Sequence, residues 1–285
     1  MTIIIPVTRA LKYLRPLIAS ILLSSLVQTP VQAAPYTDAP CGSLSLAYYE
    51  FGALFYRTQD AVYAGIDKDV VEELERRSTC HFRTSIESRV RIWSQLSNNT
   101  LDMSVSGIAT PERKKFAQFI PYFSTRNYVL VHKDTPMAAQ TMEGFLANPA
   151  LQVAVVKSFQ HGPVYDAWLD KLRAQRRLHE AADFATVMHL FSINRVHAVL
   201  ALPTAFQPLL QQKQLVDTTL VLDWSPSDRI VHNLIVSKER VNQAQFEHLE
   251  KAMRSMREDG SLHKIFRRHI GDSLAKEITY TDRKF

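Results

Sequence analysis

The chain has 285 residues, of which 46% are hydrophobic and 22% charged, with only 8 Gly and 13 Pro. That excludes a mini-protein, a collagen-like repeat and a disordered polymer. The formal charge of +6 is spread along the chain and not gathered on a basic face, so no nucleic-acid partner is expected. Residues 1–33 read as a secretion signal, with a basic start (Arg9, Lys12, Arg15), an apolar run from Leu17 to Val27, and Val31-Gln32-Ala33 before the expected cut. An apolar run of about 11 residues is too short to span a bilayer, which needs ~20. Cys41 lies well behind it, so no lipid anchor is expected. Removing this segment leaves 252 residues with 31 basic and 28 acidic side chains, a balance of +3.

Cys41 and Cys80 are the only cysteines, and export places them where disulfides persist. Each precedes a strand-like run, Ser43 to Tyr49 and Phe82 to Ile86. If these strands are parallel neighbours the spacing suits a bridge; two free buried thiols are the other possibility. Between them Lys68 to Arg77 reads as a helix with Val70, Val71 and Leu74 inward. A short helix around Ile92, Trp93 and Leu96 comes next, then a strand over Leu101 to Val105. Thr110-Pro111-Glu112-Arg113 reads as a helix start, with Thr110 as cap and Pro111 at the first position. The alternation continues with strands over Tyr128 to His132, Leu151 to Val156, Val196 to Ala201, Thr219 to Asp223 and Val231 to Val236. Helices are expected over Pro163 to Arg173, Asp183 to Phe191, Val241 to Glu258 and Leu262 to Ile270. Strands alternating with helices define an α/β protein with parallel pairing and crossover helices.

Several segments together resemble a family. Gly65-Ile66-Asp67-Lys68-Asp69-Val70, Ser106-Gly107-Ile108-Ala109-Thr110-Pro111-Glu112-Arg113, Pro121-Tyr122-Phe123 and Glu258-Asp259-Gly260-Ser261-Leu262-His263-Lys264-Ile265-Phe266 are similar, in order and spacing, to motifs of the bacterial solute-binding proteins of family 3, the polar amino-acid type. The resemblance covers roughly residues 42–271. It implies a type II periplasmic-binding fold: two α/β lobes, each a mainly parallel sheet flanked by helices, joined by two hinge strands and closing on a solute. Lobe one would comprise residues 34–125 and 232–285, and lobe two residues 126–231.

The same resemblance implies that Arg113 pairs with a ligand carboxylate, a role its two parallel donors suit. A helix opened by Thr110 and Pro111 would aim free N–H groups at the same spot. Gly107 would let backbone approach the ligand, and Ser106 and Thr110 could donate to it. Phe51, in a loop that also holds Tyr49, Phe55 and Tyr56, matches the family's ligand-facing aromatic, with Tyr49 as a second candidate. Arg89 stands where an aromatic is common. In lobe two, Phe159 and Gln160 replace a Gly-Thr pair, His161 precedes a helix start, and Leu202 lies near the place of an ammonium-binding Asp. The ligand set is therefore Arg113, Phe51, Tyr49, Ser106, Gly107, Thr110, Arg89, Gln160 and His161. The solute tilts toward an organic acid, or an amino acid whose ammonium meets Asp223 or Asp228.

Ten scattered His residues, without a cluster or HExxH, point to no metal, and neither GxSxG nor a P-loop occurs. No cofactor and no catalytic residue is expected. The leading expectation is a monomeric periplasmic receptor that passes a small polar carboxylate-bearing solute to an ABC permease in the inner membrane. Two alternatives share the scaffold: an enzyme resembling cyclohexadienyl dehydratase, and a sensory receptor partner of a membrane kinase or cyclase.

Overall fold

A computed structural model describes residues 41–212 and 214–280; the expected secretion signal lies outside them. In chain order the elements are β1 (Gly42–Tyr48), the hairpin β2 (Tyr56–Arg57) and β3 (Tyr63–Ala64), α1 (Ile66–Ser78), β4 (Cys80–Ile86), α2 (Arg89–Ser97), β5 (Met103–Gly107) and β6 (Ala117–Thr125). Then come β7 (Tyr128–His132), α3 (Met142–Ala147), β8 (Val153–Val156), α4 (Pro163–Ala174), β9 (Leu178–Ala181), α5 (Phe184–Ser192), β10 (Ala198–Ala201), α6 (Pro203–Gln212) and β11 (Thr219–Leu222). β12 (Ile230–Ser237), α7 (Gln243–Glu258) and α8 (Ser261–Ile278) close the order. Local signals start the helices. Ser88, Thr141 and Asp183 each accept a first-turn backbone N–H, and Asn242 with Gln245 forms a reciprocal capping box.

The strands form two five-stranded sheets, ordered β4-β1-β5-β12-β6 and β11-β7-β10-β8-β9. Each is the centre of one α/β lobe. β1 runs parallel to β4 and β5, whereas β12 is antiparallel to β5 and β6. In the second sheet β8 is parallel to β9 and β10, and β7 antiparallel to β10 and β11. Both sheets are thus mixed, and their antiparallel pairs belong to the strands beside the crossings between lobes. The chain passes from β6 to β7 over Arg126 and Asn127, and returns from β11 to β12. Arg126 pairs with Asp223 at 3.1 Å, and Arg229 donates to the carbonyls of Ser124 and Glu277, tying the two crossings together.

One apolar cluster fills lobe one and continues across the gap between lobes through Phe51, Phe159, Phe184 and Leu202. A second, including Val129, Phe145, Trp168 and Leu200, belongs to lobe two alone.

Two expectations change. Thr110 does cap Arg113, its Oγ1 accepting from the Arg113 N–H at 3.3 Å, but the cap opens only a single 3-10 turn, Arg113–Lys115. Phe116 leaves it and β6 begins at Ala117, because Ile120, Tyr122 and Phe123 are needed in the core. So short a turn carries no helix dipole of consequence. The last helix is also longer than expected, continuing past a kink at Gly271.

Cys41 and Cys80 are bridged, with Cα atoms 4.5 Å apart and a sequence separation of 39. The bridge fastens the start of β1 to the start of β4, where Gly42 pairs with Cys80. Replacing both by Ala should lower the unfolding free energy by about 3 kcal/mol through the loosened unfolded chain. Calorimetry should then show melting lower by roughly 6–12 °C; identical melting of the two proteins would mean that the bridge adds nothing.

Candidate functional site

The lobes are in contact, and the contact is built from the loops that leave β1, β5 and β8. β1 ends at Tyr48, and the loop that follows carries Tyr49 and Phe51, both buried. Phe51 stacks on Phe159 of lobe two (ring centroids 5.0 Å, interplanar angle 5°) and meets Phe184 at 5.0 Å. The adjacent Gly52 has φ +53°, and a Cβ there would lie 2.2 Å from the Cα of Ala205 and 2.8 Å from the Thr204 carbonyl. A groove of about 590 Å³ opens beside this junction, lined by Phe51, Tyr56 and Arg57 of lobe one and Asp183 and Phe184 of lobe two.

Arg89 opens α2 and is only 1% exposed. Its guanidinium lies 4.1 Å from the Tyr49 ring centre, 5.4 Å from Phe159 and 5.5 Å from Trp93. Nη2 donates to the Ser106 carbonyl at 3.2 Å, while Nε and Nη1 meet no acceptor among the described residues. Arg113, 8% exposed, is differently engaged. Nη1 donates to the Ile108 carbonyl and Nη2 crosses to the Ser158 carbonyl of lobe two, both at 2.9 Å. Its guanidinium sits 3.8 Å over Trp93. Burial, reinforced by the charge of Arg89, pulls its pKa down to about 9, which still leaves it charged at neutral pH.

Ser106, at the end of β5, adopts φ +51°, a conformation that costs a non-glycine residue about 1 kcal/mol or more. It is held there by a buried network. Its N–H donates to the Tyr122 hydroxyl at 2.9 Å, its Oγ donates to the Asp67 carboxylate at 2.8 Å, and the Tyr122 hydroxyl donates to Asp67 at 2.5 Å. Tyr49 OH reaches the Ser106 carbonyl, which also receives Arg89. Asp67 is wholly buried, and desolvation lifts its pKa to about 7 despite the donors and Arg89, all of which favour the ionised form. Burial likewise raises Tyr49 to about 12 and drives His232 down to about 3, so His232 is neutral where it stacks on Phe123.

The other expected residues take varied positions. At Gly107 a Cβ would run into Ile235 and approach Trp93, so the small residue serves packing inside lobe one. Thr110 is half-buried and caps the 3-10 turn. Gln160 is half-exposed on the loop after β8. His161 is buried, its ring 5.0 Å from that of Phe159 and its backbone N–H donating to Asp166 at 2.9 Å. Leu202 is fully buried at the end of β10, and Asp223 is taken by Arg126. Asp67, Tyr122, Trp93 and Ser158 join the site without having been expected there. Asp67 and Tyr122 lie in two of the segments that resemble the family's motifs, but nothing in those segments shows that β5 and β6 cover Asp67.

Two mixed α/β lobes linked by two crossings, with their facing loops forming the contact, define a two-lobed type II periplasmic-binding fold. The chain belongs to the bacterial extracellular solute-binding proteins, family 3, whose pattern matches residues 47–272. Among curated proteins none matches it by sequence. The arginine-, lysine-, histidine-binding protein ArtJ from Geobacillus stearothermophilus superposes with a TM-score of 0.69 at 16% identity, covering 80% of this chain and 95% of that one. The ancestral amino-acid-binding protein AncCDT-1, described as a precursor of cyclohexadienyl dehydratase, gives 0.65 at 18% identity, with 80% and 96% covered. A histidine kinase sensor domain with similarity to periplasmic binding proteins gives 0.69 at 12% identity, with 84% and 98% covered. No helix among the described residues is long and apolar enough to cross a membrane.

Proposed function

We propose that this protein is an exported receptor that captures a small polar carboxylate-bearing solute between its lobes and delivers it to an ABC permease. The observation that carries the reading is the pair of buried guanidinium groups, Arg89 and Arg113, at the face where lobe one meets Ser158 and Phe159 of lobe two. Cations buried at a movable junction favour an anionic guest. Phe51, Tyr49 and Phe159 give the guest apolar walls, and Ser106, Thr110, Gln160 and His161 frame it with polar groups. Binding of amino acids, which the name of ArtJ states for that protein, fits a carboxylate-bearing solute. A single chain supplies every one of these groups, so a monomer suffices.

The proposed role is non-catalytic. An eliminating enzyme needs an acid turned toward its substrate, and the buried acid at hand, Asp67, accepts from Ser106 and Tyr122 inside lobe one. A sensory role would use the same junction and differ on the outer surface.

The test is a thermal-shift screen of amino acids, organic acids and opines on the mature chain. A true ligand at about 100 times its dissociation constant adds about 2.7 kcal/mol, or roughly 5–10 °C. A screen in which no solute raises the melting temperature rejects the receptor reading. Turnover of prephenate or arogenate would replace it with the enzymatic one.

A further inference from the structure

Within the receptor reading above, we infer that the solute is an organic anion lacking an ammonium group, a 2-oxo, 2-hydroxy or unsubstituted carboxylate, and that Arg89 holds its charge while Arg113 couples its arrival to closure. The two arginines stand within a few side chains of each other, yet their donors are spent differently. Arg113 is satisfied by protein: one carbonyl in its own lobe, one in the other, and the face of Trp93. Its bond to Ser158 exists only when the lobes meet, which makes it a device for holding them together. Arg89 is buried more deeply and has one acceptor, the Ser106 carbonyl. Around its other two donor nitrogens stand Tyr49, Trp93 and Phe159, whose ring faces attract a cation without accepting a conventional hydrogen bond. A buried guanidinium in such a setting lacks the acceptors that would offset its desolvation. A carboxylate supplies both the charge and the acceptors.

The charges nearby leave no comparable place for an ammonium. Asp67 directs its oxygens to Ser106 and Tyr122. Asp223 is paired with Arg126. Asp166 accepts from the His161 N–H. Asp228 keeps one buried oxygen, Oδ2, without a partner among the described residues, but it lies beside Gly162, and the charge that acts on it is Asp166 and not Arg89. An α-ammonium beside a carboxylate held by Arg89 would thus lie near two guanidinium groups with no carboxylate turned to it, a repulsive arrangement.

Matched series decide the matter on the full mature chain, followed by calorimetry and by fluorescence, since Trp93 lies under Arg113. The series are glutamate with 2-oxoglutarate, 2-hydroxyglutarate and glutarate; alanine with pyruvate, lactate and propionate; phenylalanine with phenylpyruvate and phenyllactate. The expected result is that, in the series that binds, an ammonium-free member binds at least about 10-fold tighter than the amino acid. Tighter binding of the amino acid overturns the inference and leaves the receptor standing. So does a wild-type protein that ignores all three series but is stabilised by an uncharged solute. A protein that no solute stabilises overturns the receptor itself. Arg89→Met should weaken the preferred anion about 30- to 4,000-fold, with unliganded melting unchanged or raised, because an unpaired charge leaves the interior. If that variant does not fold, Arg89→Lys should fold and weaken binding while keeping the preference for the anion. Arg113→Met should cost about 10- to 150-fold, the worth of one hydrogen bond to a charged group, and keep the preference too. Loss of binding in Arg113→Met with near-normal binding in Arg89→Met reverses the assignment and overturns it.

Discussion

Gly52→Ala is expected to hold the two lobes apart and to weaken solute binding by roughly 100-fold or more. The added Cβ would stand 2.2 Å from the Ala205 Cα and 2.8 Å from the Thr204 carbonyl. Both neighbours are backbone at the start of α6, so no rotamer change relieves the overlap. Gly52 opens a single 3-10 turn, Gly52–Leu54, that seats against α6 in the closed arrangement. Where only a closed fraction binds tightly, apparent affinity falls by that fraction, and a closed form opposed by about 3 kcal/mol costs roughly 100-fold. In the open form the same substitution meets only the strain of φ +53°, about 1–2 kcal/mol for a residue with a Cβ. The separation between these two effects is the diagnostic. Small-angle scattering should give Gly52→Ala a radius of gyration that stays large when solute is added, while its unliganded melting drops by only a few degrees. Solute-dependent compaction with wild-type affinity would show that the Gly52 to Ala205 approach does not limit closure.

The fold was legible in the sequence wherever the signal was local. The α1 helix shows in Val70, Val71 and Leu74 at helical spacing, β1 and β4 in their apolar alternation, and α5 in the Asp183 cap. The elements that were not legible obey neighbours and not their own residues. Leu178–Ala181 is a strand because β8 offers it a free edge. Pro203–Gln212 is a helix after a proline that marks its first position, yet Leu202 before it reads as the end of a strand. Residues 117–125 form the longest strand of lobe one only because β12 lies beside them, and that pairing leaves the Thr110-Pro111 start a single turn of helix. The candidate site shows the same division. The family resemblance drew attention to Arg113 and to Arg89, but it gave no hint that one would be satisfied by carbonyls and the other left with spare donors. That distinction arises from the loop after β8, whose Ser158 and Phe159 arrive from 45 and 70 residues away respectively. The burial of Asp67 likewise shows only once β5 and β6 close over it.

Asp67→Asn should raise the melting temperature at pH 8 by roughly 10 °C, and the gain should vanish near pH 4. Desolvation lifts the Asp67 pKa from 3.8 to about 7. The folded chain therefore keeps a proton between about pH 4 and 7 that the unfolded chain has released. With more protons bound in the folded state, stability falls as pH rises through that window, and the loss is complete above pH 7. A difference of about three pH units corresponds to about 4 kcal/mol at most, or roughly 8–16 °C for a chain of this size. The amide still accepts from Ser106 and Tyr122 and carries no charge, so it escapes the penalty. Below pH 4 the carboxyl is neutral in both states and the two proteins should melt together. His232, whose stability contribution runs the other way and is lost as pH falls from 6.5 toward 3, is common to both proteins and drops out of the difference. Tyr48, Tyr49 and Tyr122, all pushed upward chiefly by burial, stay protonated in both proteins from pH 4 to 8 and add nothing to it. Calorimetric melting of both chains from pH 4 to 8 reads the difference directly. A gain that is the same at pH 4 and pH 8 would assign it to packing and refute the ionisation argument. The same charge also reaches Arg89, so in the wild-type protein anion affinity should weaken as Asp67 ionises above pH 7. In Asp67→Asn that decline should be absent, because residue 67 then carries no charge at any pH.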